Sequence, residues 1–146
     1  MAETMKVLCP TDGSRASEKG IDFAINFAAN FSNVQVTFLL ITRISADASE
    51  ARYRGVELIE AAETQEDMEL DSAAKRAQEL GYDNFKLAKS YARRNIAAAI
   101  LDFAEKEAFD HIIMGSTGRT GVERILLGSV ASEVVTKAHC PVTIIR

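Results

Sequence analysis

The chain has 146 residues, 47% of them hydrophobic and 26% charged, with a formal net charge of −4. This length predicts one domain spanning 1–146 with a sizeable core, and the mild acidity removes any global attraction to nucleic acid or anionic lipid. No apolar run reaches the roughly 20 residues of a membrane helix, and MAETMKVLCPTDGS lacks the basic start and apolar stretch of a secretory signal, so a cytoplasmic protein is expected.

In chain order, KVLCP (Lys6 to Pro10) is a short apolar run ended by proline and predicts a buried strand. A helix is expected next, with Ser14 as its N-cap and Ile21, Ala24, Ile25 and Ala28 forming one apolar stripe. VQVTFLLIT (Val34 to Thr42) is a second strand, rich in β-branched and apolar residues. The polar stretch RISADASEARYRG lacks periodicity and reads as a mobile connection. A long helix is predicted over Val56 to Leu80, closed by Gly81.

NFKLAKSYA (Asn84 to Ala92) alternates weakly and is expected as a third strand at or near a sheet edge. From about Asn95 to Lys106 the chain is helical, with Ile96, Ile100, Phe103 and Ala104 on one face. HIIMG (His111 to Gly115) is a short, apolar and therefore central fourth strand. A helix over Ser129 to Ala138 and a final strand in CPVTIIR complete the chain, with Pro141 at the strand's first position. Strands and helices alternating in this way predict an α/β protein, a parallel sheet with helices on both faces. In such sheets a ligand lies beyond the carboxyl ends of the strands, at the switch point in strand order.

Two segments fall there: PTDGS after the first strand and GSTGRTGVERILLGS, Gly115 to Ser129, after the fourth. The second holds four of the chain's eight glycines, and glycine clusters mark sharp bends or close approach. A GxxxxGK[ST] phosphate loop is absent, as is a GxGxxG fingerprint after the first strand. What remains is Gly115, whose missing side chain lets the chain turn, then Gly118 and Gly121, then Gly128-Ser129 at the start of the last helix. A helix N-terminus offers free N–H donors and partial positive charge to a phosphate. Ser129 could add a hydroxyl, and Arg119 and Arg124 could add charge. The residues alone leave two readings open: a phosphate seat, or a tight strand-to-helix connection with an ordinary serine cap. Asp12 is likewise either an acceptor for a base or ribose proton or a turn residue before Ser14.

The chain resembles the universal stress protein family along nearly its whole length, from KVLCPTDGS through DHIIMGSTGRTGVERILLGSVASEVVTKAHCPVTIIR. Nucleotide-binding members carry G-x2-G-x9-G-[ST], which Gly115, Gly118, Gly128 and Ser129 match, together with Asp12 and the closing CPVTII. The resemblance implies a Rossmann-like sandwich of five parallel strands in the order 3-2-1-4-5. It also implies ATP as ligand, with its triphosphate on Gly115, Gly118, Gly128 and Ser129 and its base and ribose by Asp12, Ile41 and Met114. Pro10, Thr11, Arg119 and Val130 flank these positions in the implied site. Mg2+ is the usual companion of a bound triphosphate. A homodimer through the last strand, Val142 to Arg146, is implied as well, and an apolar exposed edge invites such pairing. Two positions depart from the family: RNI, Arg94 to Ile96, replaces a common glycine-x-proline turn, and Leu40 stands where many members carry histidine.

No nucleophile with a base and metal-holding carboxylates is apparent, so a nucleotide-dependent regulatory module is expected, with at most slow hydrolysis or autophosphorylation. Asp110 and His139 belong at the end of the sheet opposite the ligand. Cys9 and Cys140 match no metal spacing and lie at opposite edges of the sheet, so free thiols near the core are expected instead of a disulfide. The competing reading is a nucleotide-free dimeric interaction protein, against which the intact glycine signature argues.

Overall fold

The computed structural model describes residues 3–43, 56–93, 95–116 and 127–146, the stretch 56–67 by its backbone alone. Five strands form one parallel sheet in the order β3-β2-β1-β4-β5. They are β1 (Met5–Thr11), β2 (Val34–Arg43), β3 (Phe85–Ala92), β4 (His111–Gly115) and β5 (Val142–Ile145). Four helices alternate with them: α1 (Arg15–Ala29), α2 (Val56–Glu79), α3 (Ile96–Lys106) and α4 (Ser129–Lys137). The expected class and strand order are therefore found. The polar connection and Arg94 lie outside the described residues.

Alternation along each strand sends successive side chains to opposite faces. Val7, Cys9 and Ile113 enter one apolar cluster with Ile21, Ala24 and Ile25 of α1 and Leu70, Ala73 and Ala77 of α2. Leu8, Ile112 and Met114 enter the other, with Ala97, Ile100 and Ala104 of α3 and Ala131 and Val134 of α4. Each face of the sheet thus carries two helices. β1 runs one residue past Pro10, and Pro141 precedes β5, where its carbonyl accepts the Ile112 N–H at 3.0 Å. Both cysteines are free thiols; Cys9 lies in β1, the central strand and not the expected edge of the sheet, and its full burial pushes its pKa up to about 12.

Helix ends follow local chemistry. Ser14 caps α1 through the Ser17 N–H, and Asn95 caps α3 through the Ala98 N–H. Gly81, at φ +75°, closes α2 in a Schellman arrangement: Tyr82 N–H donates to Ala77 and Gly81 N–H to Gln78. The same pattern closes α3, with Phe109 N–H to Ala104 and Ala108 N–H to Glu105, but the left-handed position is held by Ala108 at φ 55°. Alanine pays a steric cost there that glycine does not. Ala108→Gly is therefore expected to stabilise the protein by about 1 kcal/mol, a rise in Tm of roughly 2–4 °C, read by thermal unfolding.

The two sheet edges differ in character. β3 exposes Lys86 and Lys89 beside Leu87 and Tyr91, whereas β5 carries Val142, Thr143, Ile144 and Ile145, all half-buried and none charged. Behind β5, the half-buried His111 ring shares a 2.7 Å hydrogen bond with Thr143 Oγ1 and lies 6.1 Å from the Phe27 ring. Burial holds the His111 pKa below its ordinary value of 6.5. The unfolded chain takes up this proton more readily, so His111 contributes stability above pH 6.5 that is lost as the pH falls through its folded pKa. Thermal unfolding between pH 7 and about 5 should show a smaller fall in Tm for His111→Gln than for the parent chain.

Candidate functional site

The switch point in strand order lies between β1 and β4, whose connections leave to opposite sides of the sheet. Pairing of β1 with β2 runs from Met5↔Val34 to Thr11↔Leu40, but pairing of β1 with β4 is confined to Val7↔His111 and Leu8↔Ile112. The seam thus opens toward the carboxyl ends of the two strands. Pro10, which has no N–H to give a ladder, stands two residues beyond the last paired position.

On the β1 side the chain turns through a buried polar network. The Asp12 carboxylate accepts the Ser14 N–H at 2.9 Å, and Ser14 Oγ accepts the Ser17 N–H at 3.1 Å. Ser17 Oγ accepts the Asp12 N–H at 3.1 Å and donates to Thr11 Oγ1 at 2.6 Å. Gly13 sits between them at φ +77°, a left-handed conformation suited to glycine. Asp12 therefore does serve as the turn residue that orients α1, and its carboxylate is held by backbone at the mouth of the crevice.

On the β4 side, Ser116 joins three elements. Its N–H donates to the Ile145 carbonyl of β5 at 2.9 Å, and its carbonyl accepts the Gly128 N–H at 2.8 Å. The two ends of the glycine segment are thereby tied together, and the first turn of α4 is fixed beside the end of β4. Gly128, not Ser129, is the N-cap of α4, at φ −59° and ψ 158°, and a glycine brings no side-chain cap of its own. Ser129 is its first helical residue. The opening N–H groups of α4 thus carry the helix's partial positive charge with no side chain on the N-cap residue itself.

Gly115 has a reason of its own to be glycine. A Cβ there would lie 2.5 Å from the Ala16 carbonyl oxygen of α1, and its backbone is not left-handed. Its missing side chain admits α1; it does not supply a turn. Gly20 completes the contact, since a Cβ on it would lie 3.2 Å from the Gly115 nitrogen.

The expected residues divide by face. Ile41, Met114 and Val130 all join the cluster on the α3/α4 side, and alternation places Pro10 on that side with Leu8. Thr11 is buried on the α1 side, bonded to Ser17. Gly128 and Ser129 stand at the start of α4. Gly118 and Arg119 lie outside the described residues, as do Gly121 and Arg124. Asp110 is at the far end of the sheet, where it accepts the Lys6 N–H, and His139 is there too, bonded to the Phe109 carbonyl. Sequence reasoning missed Ser17, Gly20 and Ser116. A signal existed for the first two: both fall on the Ile21, Ala24, Ala28 stripe of α1, where a small or polar residue has to touch something.

Among the described residues no three His, Cys, Asp or Glu side chains converge to hold a metal ion, and no helix is long and apolar enough to cross a membrane.

This sheet order, with a crevice at its switch point, defines a doubly wound α/β protein of Rossmann-like class. The chain belongs to the universal stress protein family, whose model matches residues 3–146. Universal stress protein MJ0531 of Methanocaldococcus jannaschii is 38% identical over 142 residues, covering 97% of this chain and 81% of that protein. The structure of the universal stress protein UspA from Lactobacillus plantarum superposes with a TM-score of 0.79 at 26% identity, covering 100% of both chains. That of MJ0577 does so with 0.77 at 26% identity, covering 99% of this chain and 96% of its own. Three more distant structures share the fold and were solved with nucleotides: a universal stress protein with cAMP (TM-score 0.75, 21% identity), an Arabidopsis thaliana family member with AMP (0.64, 15%) and an Archaeoglobus fulgidus one with dAMP (0.60, 22%).

Proposed function

We propose that this protein binds ATP at the open seam between β1 and β4 and acts as a nucleotide-dependent regulatory module of the cytoplasm with little or no hydrolysis. The observation that carries this reading is the first turn of α4. Its N-cap is Gly128, which sets no side chain of its own over the opening N–H groups, and the Ser116–Gly128 bond fixes them beside the end of β4, a ready seat for a phosphate. Gly118, Gly128, Ser129 and the Gly115 backbone would hold the triphosphate, with Arg119 adding charge. Pro10, Ile41, Met114 and Val130 share the apolar side of the seam and suit a purine face. Thr11 and Asp12 supply polar groups at the nucleoside end, where a carboxylate accepts base or ribose protons. The nucleotides held by the three distant relatives support the ligand class. Mg2+ would accompany the triphosphate, neutralising its charge through the phosphate oxygens.

The test is direct. Freshly purified protein is denatured, the released small molecules are chromatographed, and the stripped protein is titrated with ATP and Mg2+. Released adenine nucleotide or micromolar binding is expected. Neither would leave the glycines as packing residues, as Gly115 already is in part, and favour a nucleotide-free interaction protein.

The uncharged β5 edge supports a homodimer formed by strand pairing through Val142 to Arg146. Sedimentation equilibrium should give twice the 15.9 kDa chain mass. A mass of one chain at micromolar concentration overturns this part of the proposal.

A further inference from the structure

We propose that Ser17 is a positioning residue for the nucleoside end of the site, holding Thr11 and Asp12 in the geometry that selects an adenine base. This rests on the nucleotide-binding reading above. Ser17 lies on the buried stripe of α1, only 4% exposed, and is bonded to both residues at the mouth of β1: its Oγ takes the Asp12 N–H at 3.1 Å and gives its own proton to Thr11 Oγ1 at 2.6 Å. A hydroxyl has one proton to give. Donating it to Thr11 makes Thr11 Oγ1 an acceptor toward the helix and turns the Thr11 proton away from Ser17. Holding the Asp12 N–H fixes the backbone from which the Asp12 carboxylate projects, and the Ser14 N–H fixes that carboxylate from its other side. The carboxylate is an acceptor, so it favours the exocyclic amino group of adenine and disfavours the carbonyl that replaces it in hypoxanthine. Ser17 itself is too deeply buried to touch the ligand, and its effect travels through its two partners.

The experiment measures ATP and ITP affinities by calorimetry on the full chain and on Ser17→Ala, with folding checked by circular dichroism. These ligands share the triphosphate and the ribose, so their affinity ratio isolates the base. The parent chain should prefer ATP. Losing one neutral hydrogen-bonding partner should shrink that preference about three- to tenfold, with ITP affinity nearly unchanged. A purely structural Ser17 would weaken both ligands alike and leave the ratio where it was, which overturns the proposal, as does a parent chain without base preference. If neither nucleotide binds the parent chain, the nucleotide-binding reading falls first and this inference with it. Should the alanine variant fail to fold, Ser17→Cys fills the same space with a poor hydrogen-bonding group and is read in the same pair of titrations.

Discussion

Valine at both Gly118 and Gly128 should lower ATP affinity by at least about 100-fold, near 2.7 kcal/mol, while the chain remains folded. Gly128 caps α4 at φ −59° and ψ 158°, an extended conformation that valine adopts without strain. The substitution therefore leaves α4 in place and sets a branched side chain over the N–H groups that would receive phosphate. Helix-terminus anion sites work because nothing stands between the donors and the ligand. Isothermal titration with ATP and Mg2+ reads the loss, and circular dichroism confirms the fold. A folded double variant with unchanged affinity would remove the glycine segment from the site.

Gly115→Ala should behave in the opposite way, costing stability before it costs anything else. Its added methyl carbon would stand 2.5 Å from the Ala16 carbonyl oxygen and 2.7 Å from the carbonyl carbon, which is backbone and cannot rotate aside. Relief requires α1 to lift from β4, and α1 supplies much of the cluster on its face of the sheet. Overpacking of this kind costs about 3 kcal/mol, a fall in Tm of roughly 6–12 °C. Thermal unfolding of the purified variant measures it. An unchanged Tm would mean that α1 can slide at no cost, against the tight contact between Gly20 and Gly115.

The contrast between these two glycines shows where the sequence is legible and where it is not. Alternating apolar runs and amphipathic stripes gave every element, because burial on both faces of a parallel sheet writes a recognisable pattern. Caps were equally local: Ser14 and Gly81 act where composition placed them. Ala108 was invisible for the converse reason, since a left-handed alanine has no compositional mark. The strand order came from family resemblance, not from periodicity, and the structure agrees with it. Gly115 does have to be glycine, but for its contact with α1 and not for the turn that the sequence suggested. A spacing motif cannot distinguish a glycine that faces a ligand from one that faces a helix, because the helix in question belongs to the other end of the chain. Gly20 and Ser17 gain their meaning only when α1 is laid across β4 and the end of β1. The last helix begins at Ser129 as expected, and the alternative reading of Ser129 as an ordinary serine cap fails because Gly128 holds that position.

The unlike edges of the sheet bear on how large an assembly this chain can build. A flat edge strand with free N–H and C=O groups accepts another strand without limit, which is how fibres grow. Here the two edges differ in charge, β3 carrying lysines and β5 none. Two copies joined through β5 would present β3 on both outer margins, each carrying Lys86 and Lys89, and lysines facing lysines repel a third chain. The lysines of β3 would then set the copy number: polymerisation stops at two, and replacing both with threonine would remove the terminator.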